Sequence, residues 1–287
     1  MTTFKQIKAY FHAQLSGLYD SQEIDSFFYL TLDKLHDLKR IDLALHPEKE
    51  VPSEEVSHWE KVLEALEKEQ PIQYILGETF FYDLRFYVNE FTLIPRPETE
   101  ELVAWILEEI KQKNIQNPTI IDIGTGTGCI PIALKKNLSS STIYAIDVSE
   151  EALLVAKKNA QLNEMEVHFW HKNILETDDL QQQFDIIVSN PPYVRLLEKQ
   201  EMKTNVLGYE PHLALFVSDE NPLVFYQKIA ELALLHLSPN GLLFFEINQY
   251  LGNETVELLS KIGFKHIELR KDLYGNDRMI KAQFIND

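Results

Sequence analysis

The chain has 287 residues, 45% of them hydrophobic, which supplies core for one large domain and a smaller one and excludes global disorder. Its formal net charge of -18 argues against a large phosphate-binding surface, which needs clustered Lys and Arg. A lone cysteine, Cys129, excludes an internal disulfide and a cysteine-based zinc site; no metal is expected, and without a signal-like start or a membrane-length apolar run the expected setting is cytoplasmic.

Residues 1–78 read as a small helical bundle. Phe4, Ile7, Phe11 and Leu15 fall at helical spacing, as do Phe27, Phe28, Leu32 and Leu35. Ser53-Glu54-Glu55-Val56 predicts the start of a third helix, with Trp59, Val62, Leu63 and Leu66 as its apolar stripe. With 8 Lys plus Arg against 15 Asp plus Glu, this segment does not suit nucleic acid. Residues 79–95 are rich in aromatic and β-branched side chains and predict a hairpin linker that turns near Asp83. From residue 96 to 287 strand and helix patterns alternate. Strands are expected at 119–123, 142–146, 166–170, 184–189, 241–247, 264–269 and 278–284, and helices at 98–112, 129–137, 149–163, 222–237 and 252–262. This alternation implies an α/β domain, a mostly parallel seven-stranded sheet covered by helices on both faces.

The first strand of that domain runs into Gly124-Thr125-Gly126-Thr127-Gly128 and then a helix. Three glycines allow a tight turn and close approach of a ligand to the backbone. The dinucleotide pattern G-x-G-x-x-G fails, because position 129 is cysteine. The G-x-G-x-G form after an aspartate resembles the first motif of class I methyltransferases, in which the loop packs against the methionine part of the cofactor. Asp122 then has two candidate roles, holding loop amides or meeting the methionine ammonium. Asp147 ends the second strand, where an acid can accept both ribose hydroxyls; the competing role is to cap the next helix, for which Ser149 is already suited. Asn173 and Ile174 end the third strand, either as adenine contacts or as a solvated loop, and Cys129, Trp170 and His171 read as packing or surface.

The fourth strand, FDIIVS, runs directly into Asn190-Pro191-Pro192-Tyr193. The prolines lock their φ angles and remove two backbone donors, leaving a rigid segment with exposed carbonyl acceptors. An amino group to be methylated needs both N–H groups held and its lone pair aimed at the methyl. Asn190 Oδ1 can accept one, the Pro191 carbonyl the other, and Tyr193 can stack on the planar group. Alignment of this kind can supply up to about 7–11 kcal/mol. Asn-Pro is also an ordinary turn signal. Placed after the fourth strand of a glycine-loop domain, the segment resembles that of methyltransferases acting on adenine N6, cytosine N4 or glutamine amides.

Four further stretches narrow the resemblance: QPIQYILGETFFYDLRFYV, LIPRPETEELV around Arg96, GYEPHLAL at 208–215 and RKDLYGNDR at 270–278. Together they resemble the release factor glutamine methyltransferase family (PrmC/HemK) from about residue 70 onward, while the first 69 residues match only in helical character. The resemblance implies a class I, Rossmann-like methyltransferase domain and S-adenosyl-L-methionine as cofactor. The implied substrate is the glutamine of the Gly-Gly-Gln loop of class I peptide chain release factors. From charge and apolar pattern, neither nucleic acid nor membrane is an expected partner, and a monomer is expected. Carried over by residue, the 124–128 loop, Asp147 and Asn190 would bind the cofactor, with Asn173 a further candidate from its place after the third strand, and Asn190, Pro191, Pro192 and Tyr193 the substrate amide, with Asn190, Pro191 and Tyr193 catalytic. Arg96 to Thr99 either start a helix or touch ligand, and Glu246 is either a satisfied buried acid or part of the site wall. Two departures stand out. The family commonly has Asp-Trp where this chain has Asn173-Ile174, and Glu-Ile-Gly where it has Glu246-Ile247-Asn248.

Two other functions compete. An amino methyltransferase acting on adenine or cytosine shares both motifs but should carry a basic groove. A binding protein that has only kept the fold has no need of Asn-Pro-Pro-Tyr.

Overall fold

The computed structural model describes residues 2–285 and divides into two units, the first running to Gly77 and taking in Lys203–Tyr209, the second holding Glu78–Met202 and the chain from Glu210 on. In the first unit helices Phe4–Leu15, Ser21–His36, Arg40–Leu45, Val56–Glu67 and Ile72–Leu76 surround a core of Phe4, Phe11, Phe28, Trp59 and Leu66. Thr3 and Gln6 close a capping box on the first helix, and the Asp20 carboxylate accepts the Gln22 and Glu23 amides at the start of the second. The helix expected from Ser53 begins at Val56. The Ser53 hydroxyl turns to Glu54 and caps nothing, and Glu55 closes a turn on the Pro52 carbonyl.

The second unit opens with the hairpin Glu78–Phe81 and Leu84–Tyr87, whose two-residue turn puts Tyr82 and Asp83 at φ 50° and 60°. The Asn159 side chain accepts the Tyr87 amide and donates to the Tyr87 carbonyl, so the hairpin is packed into this unit. Seven strands form the central sheet: Thr119–Ile123 (β1), Thr142–Asp147 (β2), His168–His171 (β3), Phe184–Ser189 (β4), Leu237–Glu246 (β5), Lys265–Lys271 (β6) and Asp277–Gln283 (β7). Their order is β6-β7-β5-β4-β1-β2-β3, with only the β6–β7 and β7–β5 pairings antiparallel.

Side chains alternate to two faces. Ile120, Ile186, Leu242 and Phe244 pack on one with helices Pro97–Gln112 and Cys129–Asn137; Ile121, Ile187, Leu243 and Phe245 pack on the other with helices Val224–His236 and Gly252–Ile262. Since β1 pairs with both β2 and β4, the order reverses there, and ligands bind beyond strand carboxyl ends at such a point. Ile123 sits opposite Ser189, so the glycine loop after β1 and the segment after β4 leave the sheet side by side. No helix among the described residues is long and apolar enough to cross a membrane.

Candidate active site

A cavity of about 490 Å³ opens at this switch point. Gly124, Thr125, Gly126, Thr127, Asp147, Asn173, Asn190, Pro191 and Pro192 line it, together with Arg96 and Thr99. Two expected site residues do not. Gly128 packs the loop instead: at φ 78°, any Cβ there would meet Ala156 Cβ and Ile132 Cδ1 at 3.2 Å. Tyr193 is partly buried against the core beneath β4, and its hydroxyl donates to Glu246 Oε1 at 3.1 Å.

The loop is tied across to the end of β2. The Gly124 and Thr125 amides both donate to the Ile146 carbonyl, and the Gly126 amide donates to Asp147 Oδ2 at 2.8 Å. Gly126, at φ 54°, faces open space. Asp147 Oδ1 also accepts the Ser149 amide at 2.9 Å, while the Ser149 hydroxyl caps the next helix at Ala152. Asp147 therefore both braces the loop and keeps lone pairs for a ligand. Burial pushes its carboxyl up, against the pull of the Ser149 and Gly126 amides.

Asp122 is fully buried behind the loop rather than on the cavity wall. Among the described residues, neither of its oxygens nor the Thr125 hydroxyl has a hydrogen-bond partner. Burial pushes the Asp122 carboxyl up to about 7, the nearby Thr125 hydroxyl offsetting this only in part. Asn173 caps a short 3-10 turn, its Oδ1 accepting the Leu175 amide at 3.1 Å, and lines the cavity. Ile174, beside it, is buried and lines the wall.

Asn190 is held from behind. Its Nδ2 donates to Thr99 Oγ1 at 3.3 Å, and Thr99 Oγ1 donates to Glu246 Oε2 at 2.6 Å. Thr99 and Glu246 are both buried, and burial raises the Glu246 carboxyl, with the Thr99 hydroxyl, the Arg278 charge and the Tyr193 hydroxyl opposing. Burial and the Glu246 charge also push the Tyr193 phenol well above its ordinary value, so it stays a neutral donor. Among the described residues nothing donates to Asn190 Oδ1 or to the Pro191 carbonyl. Two acceptors thus remain beside each other on a rigid segment at the cavity wall.

The Pro-Arg-Pro-Glu-Thr-Glu run serves several ends at once. Pro97 starts the helix, Arg96 pairs with buried Glu210, Thr99 reaches Asn190, and Glu100 accepts the Tyr82 amide at the hairpin turn at 2.7 Å. Glu210 also accepts the Ile94 amide at 3.3 Å, so two of the stretches noted in the sequence meet in one contact. Sequence reasoning missed Phe91 and Leu213, exposed apolar side chains of the cavity wall. Leu213 lies in GYEPHLAL and was within reach of that signal; Phe91 carries none.

The family model described as methyltransferase small domain matches residues 102–208, and that described as PrmC N-terminal domain matches residues 6–77. The release factor glutamine methyltransferase of Flavobacterium psychrophilum is 59% identical over 281 residues, covering 98% of this chain and 99% of that one. The protein of the same description from Bacteroides thetaiotaomicron is 40% identical, over 96% of this chain and 99% of its own. Among solved structures, the hMettl16 catalytic domain in complex with MAT2A 3'UTR hairpin 6 matches with a TM-score of 0.56 at 17% identity, over 82% of this chain and 83% of that one, a likeness of fold.

Proposed function

The chain belongs to the release factor glutamine methyltransferase family, and on that premise we propose that it transfers a methyl group from S-adenosyl-L-methionine to the side-chain amide nitrogen of the Gly-Gly-Gln glutamine of class I release factors. The residues present suit that cofactor. Gly126, at positive φ, faces open space on the cavity wall, the Thr125 hydroxyl has no partner among the described residues, and Asp147 keeps acceptor capacity for ribose hydroxyls. When bound, the cofactor supplies an electrophilic methyl group on a sulfonium.

The observation that carries the substrate role is the bond from Asn190 Nδ2 to Thr99. It turns the amide so that Oδ1, the acceptor, is the atom left for a ligand. Asn190 Oδ1 and the Pro191 carbonyl accept the two N–H groups of a planar glutamine amide, which fixes its nitrogen lone pair. Pro192 stiffens the segment, and Tyr193 holds the shape of its far end. With the methyl supplied from the sulfonium, whose carbon–sulfur bond would break to leave a neutral thioether, the amide nitrogen would have one surplus proton to lose to solvent while Asn190 Oδ1 and the Pro191 carbonyl hold it. Glu246 takes no proton from substrate, because it is buried behind Thr99 and Tyr193 and does not line the cavity. Catalysis is alignment, for which the ceiling is about 7–11 kcal/mol.

The helical unit reads the protein that carries the glutamine, and the enzyme works in the cytoplasm as a monomer. Mass spectrometry of a purified release factor incubated with the enzyme and cofactor tests the assignment, beside parallel arms with total RNA and with DNA. A methyl gain on the glutamine peptide is expected. Transfer to nucleic acid with none to the release factor would move the assignment to the adenine or cytosine class.

A further inference from the structure

Position 248 is asparagine, and its side chain is 3% exposed. Asn248 Nδ2 donates to the Tyr193 carbonyl at 2.9 Å and to the Glu198 carboxylate at 3.2 and 2.9 Å. Asn248 Oδ1 accepts the Tyr250 amide at 2.9 Å. Glu198, itself buried, also accepts from the Arg195 backbone and from Arg195 Nε at 2.6 Å. A carbonyl and a carboxylate thus converge on one point, and only a donor with two hydrogens can sit between them. Aspartate there would face two acceptors; glycine would leave the Tyr193 carbonyl without its partner.

Tyr193 is consequently fixed at both ends. Its hydroxyl is held by Glu246 and its carbonyl by Asn248, two residues further along the same chain segment. That segment is itself anchored: the Ile247 amide donates to the Arg278 carbonyl at 2.8 Å. Asn248 does not line the cavity. We propose that Asn248 is a positioning residue that sets the backbone of Tyr193 and, through it, the geometry with which Asn190 and Pro191 hold the substrate amide. This rests on the amide-methylating role proposed above.

Three variants test it in the full chain. Asn248→Ala should lower kcat on release factor about tenfold or more, while the cofactor Kd stays within about threefold, since one buried hydrogen bond to a placed group is worth that much. Amide hydrogen exchange over residues 193–198 should quicken in the same variant. The double variant Asn248→Asp with Glu198→Gln restores a donor–acceptor pair between the two side chains but offers nothing to the Tyr193 carbonyl. It should regain the thermal stability that Asn248→Asp alone loses and still turn over slowly. Unchanged kcat or unchanged exchange in Asn248→Ala, or wild-type kcat in the double variant, overturns the role. Wild-type protein that methylates no release factor would instead sink the substrate assignment, and the exchange measurement would still decide on Asn248.

Discussion

Asn190 Nδ2 lies 3.3 Å from Thr99 Oγ1, and that hydroxyl has one hydrogen, already given to Glu246. The only part left to Thr99 toward Asn190 is that of acceptor, which decides the orientation of the Asn190 amide. Thr99→Val keeps the shape and removes both bonds. A buried polar group left without its partner costs about 1–3 kcal/mol, so kcat should fall on the order of tenfold to a hundredfold with little change in cofactor Kd. Thr99→Ser should retain most activity. Equal turnover in Thr99→Val and wild type would remove the orientation argument.

Asp147 serves the loop as well as the ligand, and the two duties can be separated. Asp147→Asn keeps an acceptor for one backbone amide but loses the charge on which hydroxyl donors converge. Hydrogen bonds to a charged group are worth about 1.5–3 kcal/mol, so S-adenosylmethionine should bind at least about tenfold more weakly. Calorimetry on folded variant protein gives the answer, and an unchanged affinity would exclude the ribose role.

Asp122 makes the stability of the ligand-free protein fall as pH rises. Its carboxyl ordinarily titrates at 3.8 and is pushed up to about 7 in the folded chain. Between those values the folded chain keeps a proton that the unfolded chain has released, so its stabilising contribution is complete below 3.8 and lost as pH climbs through about 7. The change corresponds to on the order of 4 kcal/mol at about 1.36 kcal/mol per unit. The unfolding free energy of wild type minus that of Asp122→Asn should therefore decline across this range and level off above it. Parallel pH profiles for the two proteins would show that Asp122 is ionised throughout.

What was legible in the sequence follows from what neighbouring residues decide among themselves. Continuous apolar runs such as IIDI and FDIIVS mark buried parallel strands, and Asp147 and Asn190 stand out because each is polar where such a run ends. Thr99 stood out only as the end of the Arg96–Thr99 run, for which a helix start and ligand contact were both open. Pro97, Glu98 and Glu100 fully account for their run as a helix start, which hid the one side chain that reaches 91 positions along the chain to Asn190. Asn248 was visible only as an oddity, since its partners Tyr193 and Glu198 lie on another strand's loop. The inclusion of Lys203–Tyr209 in the helical unit, where the Tyr209 hydroxyl donates to the Lys68 carbonyl at 2.8 Å, is likewise set by long-range packing that local pattern does not encode.

The helical unit should govern which glutamine is methylated. One glutamine amide is chemically like any other, and the 190–193 segment can hold only the planar group, so selectivity requires a second surface. The helical unit exposes Tyr10, Leu18, Ile41 and Leu45, at 53, 50, 63 and 67% of their full area, which is apolar surface without a packing role. A chain beginning at Glu78 should still bind S-adenosylmethionine, because every residue lining the cavity lies beyond that point. It should methylate whole release factor far more slowly than the full chain does. Short Gly-Gly-Gln peptides should be poor substrates for both, lacking the remote contacts whose binding energy positions the amide. Removal of the unit also strips the partners of Lys203–Tyr209, so the full chain carrying Ile41→Glu and Leu45→Glu gives a second measurement in which folding is intact. Those exposed sites should leave thermal stability and cofactor Kd unchanged while raising KM for release factor. If both the shortened chain, shown to be folded, and the substituted one methylate whole release factor at the full chain's rate, the helical unit only stabilises the protein.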